Sequence, residues 1–501
     1  MLRIEGTTKK LCDGLSRREL LQIGSLSALG VGLTDVMNRP LASAAHDELA
    51  RSFGKAKSCI LIFPYGSPSS HETFDPKPQA PAEIQGEMKS ISSNVPGTQI
   101  CDHLPDIASV MDEITVVRSM THPYPLHALA YAVTGLPTYS IPLETNARDA
   151  RQWPFIGSVV DYLDARDRSK VSSEVPRNIG LPWLVNSKTD NPAVNGGVFA
   201  AFLGAEYDPV WTDFDGHGIK LAPKNTVDQT KRFKNPFGGT TREGRFHLGQ
   251  GAELPKDISI ERLRLRKSLL TQFDWTRRTL DHHDQIGAYE KQQQLALSLL
   301  TTSKMRQALD IGREPRKVRE EYGMTLFGQS CLAARRIIEA GGRFVSVFWD
   351  CFGQFANGSW DTHNYHYPRM KELLLPGFNQ TYPTLIKDLR QRGLLDETLV
   401  LWMSEHGRTP KIDTTRPGGG RDHWSNAYSI ALAGGGTPGG KIVGQTTRDG
   451  GEVLDNPVSP KDILATTYHL LGIDIDTTVP DQLGRPLPIA GSGKIREELL
   501  L

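Results

Sequence analysis

Short apolar runs alternate with amphipathic stretches of helical period along much of the chain. Four mostly apolar runs have the length and composition of buried strands, and they lie at 57–63, 343–349, 398–403 and 428–433; the third is unbroken and partly β-branched, as expected of a strand buried on both faces. Helical patterns precede two of these runs, at 322–340 and 376–392. Because strand and helix alternate in this way, the pattern predicts an α/β fold with a mostly parallel central sheet, in which 398–403 is a central strand.

Further elements extend this pattern on both sides. Upstream, the sequence predicts a helix over 104–110, a strand over 114–118, a helix over 153–163 and a strand or loop over 178–184. Near the C-terminus, 457–473 is predicted to be a helix that serves packing. Ser459 is its expected N-cap, Pro460 its first helical residue and Gly472 its stop.

Two segments interrupt the alternation and predict an insertion at about 207–310. From 207 to 255 the composition shifts to Gly, Asp, Lys and Asn with little periodicity, which predicts a long surface loop; a lid over a site is the alternative. His247 is then a surface residue. The leucines within 259–307 recur at helical spacing and predict a helical hairpin packed on the sheet. We expect one α/β domain spanning 46–495.

The N-terminus has the features of an export signal. A twin-arginine motif, SRRELL, occupies 16–21; a weakly apolar stretch follows at 23–33, and the small residues Ala-Ser-Ala occupy 42–44. Residues 1–45 are therefore predicted to be a twin-arginine signal peptide, the alternative being a surface amphipathic helix. No other stretch reaches the roughly 18 apolar residues of a membrane span. We expect a periplasmic or secreted protein.

Charge and cysteine usage remove several functional classes. The 501 residues carry 58 basic and 57 acidic side chains, a net charge of +1, which gives no support for nucleic acid or an anionic membrane as a partner. The five cysteines have no CxxC spacing, which argues against a thiolate zinc site. Cys12 lies in the predicted leader, and the other four either pair or stay free. The sequence sets no oligomeric state.

Acidic residues and histidines follow the predicted strands. Three such clusters lie at or just beyond strand ends, and they are Glu405 with His406, Asp422 with His423, and Asp361 with His363. In α/β sheets, ligands bind at the carboxyl ends of the strands. Mixed carboxylate and imidazole ligands suit zinc, manganese or iron. The three clusters together predict a metal site, although each alone could be a hydrogen-bonded loop pair.

These clusters lie within motifs that resemble a known family. Residues 394–407, LLDETLVLWMSEHG, resemble the sulfatase and phosphodiesterase pattern GLxDNTLVVFTSDHG, in which the D-H pair holds a metal. SEHGRTP, GGGRDHW, WDTH and ALAGGG are similar to the DUF1501 family, secreted bacterial proteins of the alkaline-phosphatase-like superfamily. The similarity runs from about Arg17 almost to the C-terminus. It implies a three-layer α/β/α sandwich with a mostly parallel sheet and a helical insertion.

The chain departs from the superfamily pattern at the end of the first strand. The superfamily places an Asp there that bridges toward a second metal, whereas this chain has Pro64, Tyr65 and Gly66. Glu72 is the substitute that the resemblance favours, with His71 and Asp75 as alternatives. A turn that Glu72 merely caps is the other interpretation.

The nucleophile position also departs from that pattern. Residues 119–137 resemble the sulfatase nucleophile turn C-x-P-S-R with its trailing T-G, but no cysteine stands at the required place, which disfavours formylglycine chemistry. Ser119 or Thr121 could act as nucleophile beside a metal, or a metal-activated water could attack directly. His127 is expected to face the same turn, as a site residue or as a core or capping histidine.

These observations give a working hypothesis: an exported metal-dependent hydrolase of phosphate or sulfate esters that acts on a small-molecule or glycan ester. One or two divalent cations, zinc, manganese or calcium, are expected. Two ligand sets are predicted, Asp361, His363 and His423 for one site and Glu405, His406 and Glu72 for the other.

Three further residues are predicted to support these sets. Asp422 is expected to orient a ligand histidine, and Arg408 or Arg421 to hold a substrate oxyanion. The alternative hypothesis is a non-catalytic extracytoplasmic binding protein on a degenerate scaffold.

Overall fold

The four apolar runs are strands in the computed structural model, which describes residues 49–124, 129–135, 141–167, 175–223, 232–249, 303–353 and 359–501. Residues 1–52 and 53–501 form two units, and of the first only the helical residues 49–52 are described. The predicted signal peptide, His127 and the predicted helical hairpin up to residue 302 lie outside the described residues.

The described strands are β1 (Ser58–Pro64), β2 (Ser90–Ser92), β3 (Gln99–Cys101), β4 (Ile114–Met120), β5 (Asn178–Leu181), β6 (Val210–Asp215), β7 (Gly218–Pro223), β8 (Arg232–Thr240), β9 (Arg245–Leu248), β10 (Phe344–Trp349), β11 (Thr398–Trp402), β12 (Gly407–Arg408), β13 (His423–Trp424), β14 (Tyr428–Ala433), β15 (Lys441–Val443), β16 (Gln445–Thr446), β17 (Val453–Asp455), β18 (Thr478–Pro480) and β19 (Pro486–Pro488).

The described α-helices are α1 (Ala82–Gln85), α2 (Pro105–Ala108), α3 (Leu129–Thr134), α4 (Ile141–Thr145), α5 (Ile156–Arg166), α6 (Ser303–Leu309), α7 (Arg316–Tyr322), α8 (Leu326–Glu339), α9 (His366–Arg369), α10 (Leu375–Gln391) and α11 (Pro460–Leu470). A π-helical turn, Met370–Leu374, joins α9 to α10. The pattern predicted as one helix over 322–340 is broken after Tyr322 because Gly323 has a φ of +93°. Thr325 then caps α8.

Nine of the described strands form the central sheet, in the order β15-β4-β14-β11-β1-β10-β5-β6-β9. Its centre is parallel, since β1 pairs in parallel with both β10 and β11, and β10 pairs in parallel with β5. Strand β14 runs antiparallel to β11 and to β4, so β4 points the same way as β11. The predicted α/β class with a mostly parallel central sheet is confirmed.

Aromatic side chains fix the ends of the central strands. Trp349 ends β10 and stacks on Phe327 of α8, with ring centroids 4.2 Å apart. Trp402 ends β11 and stacks on Phe378 of α10, with centroids 3.9 Å apart. All four rings are buried. Because such pairs bury large apolar area with defined geometry, they position the strand ends from which the next segments leave.

The prediction of a surface loop is wrong over 210–223 and 232–248. Strand β6 joins the central sheet, β9 pairs with it in antiparallel fashion, and β7 and β8 pair as a separate antiparallel ribbon. Phe214 and Phe246 pack across β6 and β9 with ring centroids 5.0 Å apart. Antiparallel strands need only one apolar face. The polar residues on the other face made the composition of this segment resemble that of a loop.

The cysteines and the helices within the described ranges bear on two further predictions. Cys59, Cys101 and Cys331 are buried free thiols, and Cys351 is buried as well. None of the helices within the described ranges is both long and apolar enough to cross a membrane.

The predicted caps of α11 are present. The backbone N–H of Asp462 donates to the Ser459 hydroxyl (3.3 Å), and the N–H of Ser459 donates to the Asp462 carboxylate (2.9 Å). We expect Ser459→Ala to lower the free energy of unfolding by about 1 kcal/mol, because the N–H of Asp462 loses the hydroxyl that accepts its hydrogen bond. Urea denaturation measures this. Ser492→Ala, at an exposed site, is the matched control and should leave stability unchanged.

Candidate metal centre

Three parallel strands, β1, β10 and β11, end at the same edge of the sheet, so the segments that follow them meet there. The N–H of Trp360 donates to the carbonyl of Tyr65 (2.8 Å). The Trp360 ring packs edge-on against Trp349 and Trp402, with centroids 5.3 and 5.8 Å away. The backbone bond and the buried ring together place Asp361 beside the end of β1.

Gly66 permits this close approach. A Cβ atom at Gly66 would lie 2.3 Å from the backbone nitrogen of Asp361, and the Gly66 φ is +92°. Because of the short distance and the positive φ, any residue other than glycine would be strained at this position. The N–H of Gly66 also donates to Oε1 of Glu405 (2.8 Å), which links β1 to the segment after β11.

Asp361, His363 and His423 form one group. His363 Nε2 lies 3.1 Å from Asp361 Oδ1 and 3.0 Å from His423 Nε2, and His423 Nε2 lies 3.4 Å from Asp361 Oδ1. Ligand atoms bound at about 2.1 Å to one tetrahedral ion lie about 3.4 Å from each other. The three atoms are therefore spaced as ligands of a single cation, and they are the set that the sequence predicts for one site.

Asp422 fixes the orientation of His363. Its Oδ1 lies 2.5 Å from His363 Nδ1, and Arg416 donates to both of its oxygens (2.7 and 2.8 Å). Hydrogen bonding by Arg416, and then by His363, lowers the pKa of Asp422 to about 2, so the carboxylate is ionised at neutral pH. An ionised carboxylate only accepts hydrogen bonds, so Nδ1 carries the proton. In the neutral ring, the lone pair of Nε2 then faces Asp361 and His423.

Arg408 holds Asp361 from the buried side. Its guanidinium lies 2.6 Å from Asp361 Oδ1, donates from Nε to the carbonyl of Ser67 (3.1 Å) and contacts the carbonyl of Gly66. The Arg408 side chain is fully buried. The residue predicted to hold a substrate oxyanion therefore binds the Asp361 carboxylate and the segment that follows β1.

Glu72, which is predicted to complete the second site with Glu405 and His406, is paired instead with Arg421. Its carboxylate is fully buried, 2.7 Å from Arg421 and 3.3 Å from His366. Burial alone would raise the pKa of Glu72, but the charges of Arg421 and then His366 lower it well below its usual range. Glu72 and Arg421 thus neutralise each other inside the protein, because a buried charge needs a partner. Arg421, the other residue predicted to hold a substrate oxyanion, is therefore bound to Glu72.

Glu405 and His406 diverge after β11. Both carboxylate oxygens of Glu405 accept hydrogen bonds, one from Gly66 N–H and one from the hydroxyl of Ser404 (2.6 Å). His406 turns the other way, and its ring centroid lies 4.5 Å from that of His423. His406 Nδ1 lies 2.8 Å from the carbonyl of Gly407. The imidazoles of three predicted residues, 363, 406 and 423, therefore lie together, while the Glu405 carboxylate points to β1.

Of the two predicted nucleophiles, Ser119 has its hydroxyl engaged elsewhere, and Thr121 is bound through its backbone. The hydroxyl of Ser119 donates to the carbonyl of Asn456 (2.6 Å), and the N–H of Thr121 donates to the carbonyl of Val458 (2.9 Å). Sequence reasoning missed the neighbouring His122, which is buried with Nε2 2.7 Å from the carbonyl of Glu405. Its position just after β4, a strand parallel to β11, was the available signal.

A cavity of about 970 Å³ adjoins the group. Asp422 and Trp424, on either side of His423 in sequence, line it, and the indole N–H of Trp424 donates to the carbonyl of Gly451 (2.7 Å), which fixes the ring. The remaining wall comes mainly from residues 409–415 and 447–452. An aromatic wall with hydroxyls and carboxylates beside a cation site is suited to a polar organic ligand.

The chain belongs to the DUF1501 family. The family described as "Protein of unknown function (DUF1501)" matches residues 56–500, which confirms the resemblance found in the sequence motifs. No curated protein matches the chain.

Several solved enzyme structures are weakly similar. A sulfatase from Pseudoalteromonas sp. is 12% identical, with 87% of this chain and 72% of that chain covered and a TM-score of 0.36. The phosphonate monoester hydrolase of Silicibacter pomeroyi is 11% identical, with coverages of 88% and 75% and a TM-score of 0.30. The lipoteichoic acid synthase of Listeria monocytogenes is 11% identical, with coverages of 90% and 81% and a TM-score of 0.31.

Because Gly66 lies so close to Asp361, adding a methyl group at this position should lower stability strongly. We expect Gly66→Ala to lower the free energy of unfolding by about 3 kcal/mol, from the left-handed backbone and the clash with Asp361 together. Gly484→Ala is the matched control, since Gly484 has a φ of +75° and open space around it. It should lose only about 1 kcal/mol. Equal losses in urea denaturation of the two variants would contradict this account.

Burial of His122 predicts a pH-dependent stability. Burial lowers its pKa from 6.5 to about 4. Between these values the unfolded chain binds a proton that the folded chain does not, so the free energy of unfolding falls as pH drops, by up to about 1.4 kcal/mol per pH unit. His122→Gln should give a shallower dependence in urea denaturation between pH 4 and 6.5. His103→Gln, at a partly exposed site, should keep the wild-type slope.

Proposed function

We propose that this protein is a metal-dependent hydrolase of sulfate or phosphate esters. The observation that carries the proposal is the spacing of 3.0 to 3.4 Å among Asp361 Oδ1, His363 Nε2 and His423 Nε2, with the His363 tautomer set by Asp422. Three electron-donating atoms at this spacing repel one another unless a cation or proton lies between them. Family membership supplies no activity, so the proposal depends on the site.

The donor set indicates which cation fits. Two imidazole nitrogens and one carboxylate oxygen are typical ligands of catalytic zinc and suit manganese or iron, whereas calcium prefers oxygen ligands alone. We therefore favour zinc, manganese or iron over the calcium that the sequence left open. One ion fits better than two, because Glu72 and Glu405, the acids expected at a second ion, are bound to Arg421 and to Gly66 and Ser404.

Each residue of the site has a separate task in this proposal. A bound divalent cation supplies electrophilic polarisation of an ester oxygen. Asp422 keeps His363 in the ligand tautomer, and Arg408 holds the Asp361 carboxylate in place. His406 Nδ1 faces the Gly407 carbonyl, so the proton sits on Nδ1 and Nε2 is the basic nitrogen that accepts a proton during hydrolysis.

The cavity beside Asp422 and Trp424 provides space for the organic part of the ester, a small molecule or a glycan. Export by the twin-arginine pathway is part of the proposal. That pathway carries folded proteins, which suits a metal bound before secretion, and the motif at 16–21 supports it.

A second candidate function is a non-catalytic binding protein. Two observations favour it: the Ser119 hydroxyl donates to a backbone carbonyl, and Tyr65 stands where the superfamily places a metal-bridging Asp. The Tyr65 hydroxyl accepts a hydrogen bond from Asn195 (2.7 Å), so it is part of the packed interior. Assays with sulfate esters, phosphomonoesters and phosphodiesters, each with added zinc or manganese, separate the two functions. Turnover that disappears in His363→Ala would exclude the binding protein.

The metal site makes a direct prediction. Purified wild-type protein should contain about one equivalent of metal by elemental analysis, and His363→Ala and His423→Ala should contain almost none. Asp422→Asn should retain the site but weaken metal affinity by about 10- to 100-fold, because it removes the group that orients a ligand histidine.

His247→Ala is the matched control, since His247 lies on β9, with its Nε2 3.6 Å from Oδ1 of Asp215. It should keep the wild-type metal content. Wild-type protein without metal after incubation with zinc, manganese or iron, or equal content in all four variants, would rule out the assignment.

A further inference from the structure

A second, smaller cavity is bordered in part by the same turn that borders the cavity beside the metal group: Arg448 lines the smaller cavity, and Thr447 and Asp449 line the larger one. The smaller cavity measures about 330 Å³ and shares no lining residue with the larger cavity. Its walls come from the segment after β1, the β2–β3 hairpin, β4 and the turn between β16 and β17. The lining residues are Asp75, Pro76, Lys77, Pro78, Gln79, Gly97, Gln99, Arg118 and Arg448.

The charge of this cavity is strongly unbalanced. Lys77, Arg118 and Arg448 line it with only one carboxylate, that of Asp75, so three positive charges against one negative leave a net +2. The side chains of Lys77 and Arg118 are only 16% and 20% exposed, so water screens their charges poorly. In a chain whose total net charge is +1, this concentration is local.

Asp75 pairs with Lys77 but satisfies Arg118 only in part. One of its oxygens accepts from the hydroxyl of Thr446 (2.5 Å) and lies 3.1 Å from Lys77 Nζ. The other oxygen lies 3.6 Å from Arg118, beyond a good hydrogen bond. Arg118 donates to the carbonyl of Gln99 (3.1 Å), but its buried Nε–H has no hydrogen-bond partner among the described residues. Burial lowers the pKa of Arg118, and the charge of Asp75 raises it.

The backbone holds these cations in place. Lys77 lies between two prolines and has a φ of +48°, a left-handed conformation that a side chain of its kind rarely adopts. Strain of this kind persists where the surroundings fix it, and it is frequent at ligand sites. Arg448 donates to the carbonyl of Gln79 (3.1 Å), which ties the β16–β17 turn to the segment that carries Lys77.

We propose that this cavity binds a sulfate or phosphate group through Lys77, Arg118 and Arg448. A tetrahedral oxyanion accepts several hydrogen bonds at once, which suits the unpartnered guanidinium nitrogen and the two neighbouring cations. Asp75 then positions Lys77 and reduces the net charge to the two that a dianion balances. The site is independent of the metal group and of the proposed hydrolase activity.

Titration calorimetry of the full-length protein with inorganic sulfate at low ionic strength tests the proposal. We expect wild-type protein to bind sulfate, and Arg448→Gln and Lys77→Gln to weaken binding about tenfold, because each removes a charge-assisted hydrogen bond. Arg448 is exposed, so its replacement should leave the fold intact. Arg313→Gln, another exposed arginine outside the cavity, is the matched control and should bind as the wild type does.

Two further measurements separate this site from the metal group and identify the source of the anion. His363→Ala should bind sulfate as tightly as wild type, even if the protein proves to be no hydrolase. Tighter binding of a sulfated or phosphorylated monosaccharide than of inorganic sulfate, again weakened by Arg448→Gln, would assign the group to a larger ligand; the reverse order would assign it to the free ion. Absence of sulfate binding by wild type, or equal affinity in Arg448→Gln, Lys77→Gln and Arg313→Gln, would overturn the proposal.

Discussion

The carboxylate of Asp361 is the contact on which the site depends. One of its oxygens lies within 3.4 Å of His363, two residues further along the chain, and of Arg408 and His423, which pair across β12 and β13. Arg408 also binds the segment that follows β1, so the same guanidinium fixes that segment and the ligand carboxylate. A change in the position of Asp361 would therefore disturb the imidazoles and the sheet edge together.

The packed sheet makes this contact rigid. Trp360 is wedged between Trp349 and Trp402, the last residues of β10 and β11, and it immediately precedes Asp361. The apolar burial of Trp360 and the contact of Asp361 with Arg408 thus act on adjacent residues. Because the interior is close-packed, the carboxylate is positioned before any ligand arrives. His363 and His423 are more exposed, with 31% and 20% of their side chains accessible, so a ligand reaches the group from their side.

Sequence reasoning succeeded where the signal is local. The strands at the centre of the sheet are continuous apolar runs, and Asp361, His363 and His423 follow strand ends that a parallel sheet brings together. Sequence reasoning failed where the role of a residue depends on a partner far away in the sequence. The role of Glu72 depends on Arg421, which is 349 residues away, and no spacing rule connects them. The strands within 210–248 escaped because edge strands carry few apolar residues, and neither Ser119 nor Thr121 could be placed without knowing that β4 runs beside 456–458.

The most direct test is a crystal structure of the zinc-loaded or manganese-loaded protein, with diffraction data collected on both sides of the absorption edge of the metal. The account predicts one anomalous peak about 2.1 Å from Asp361 Oδ1, His363 Nε2 and His423 Nε2. Absence of a peak at these three atoms, or a metal bound only elsewhere on the chain, would contradict it.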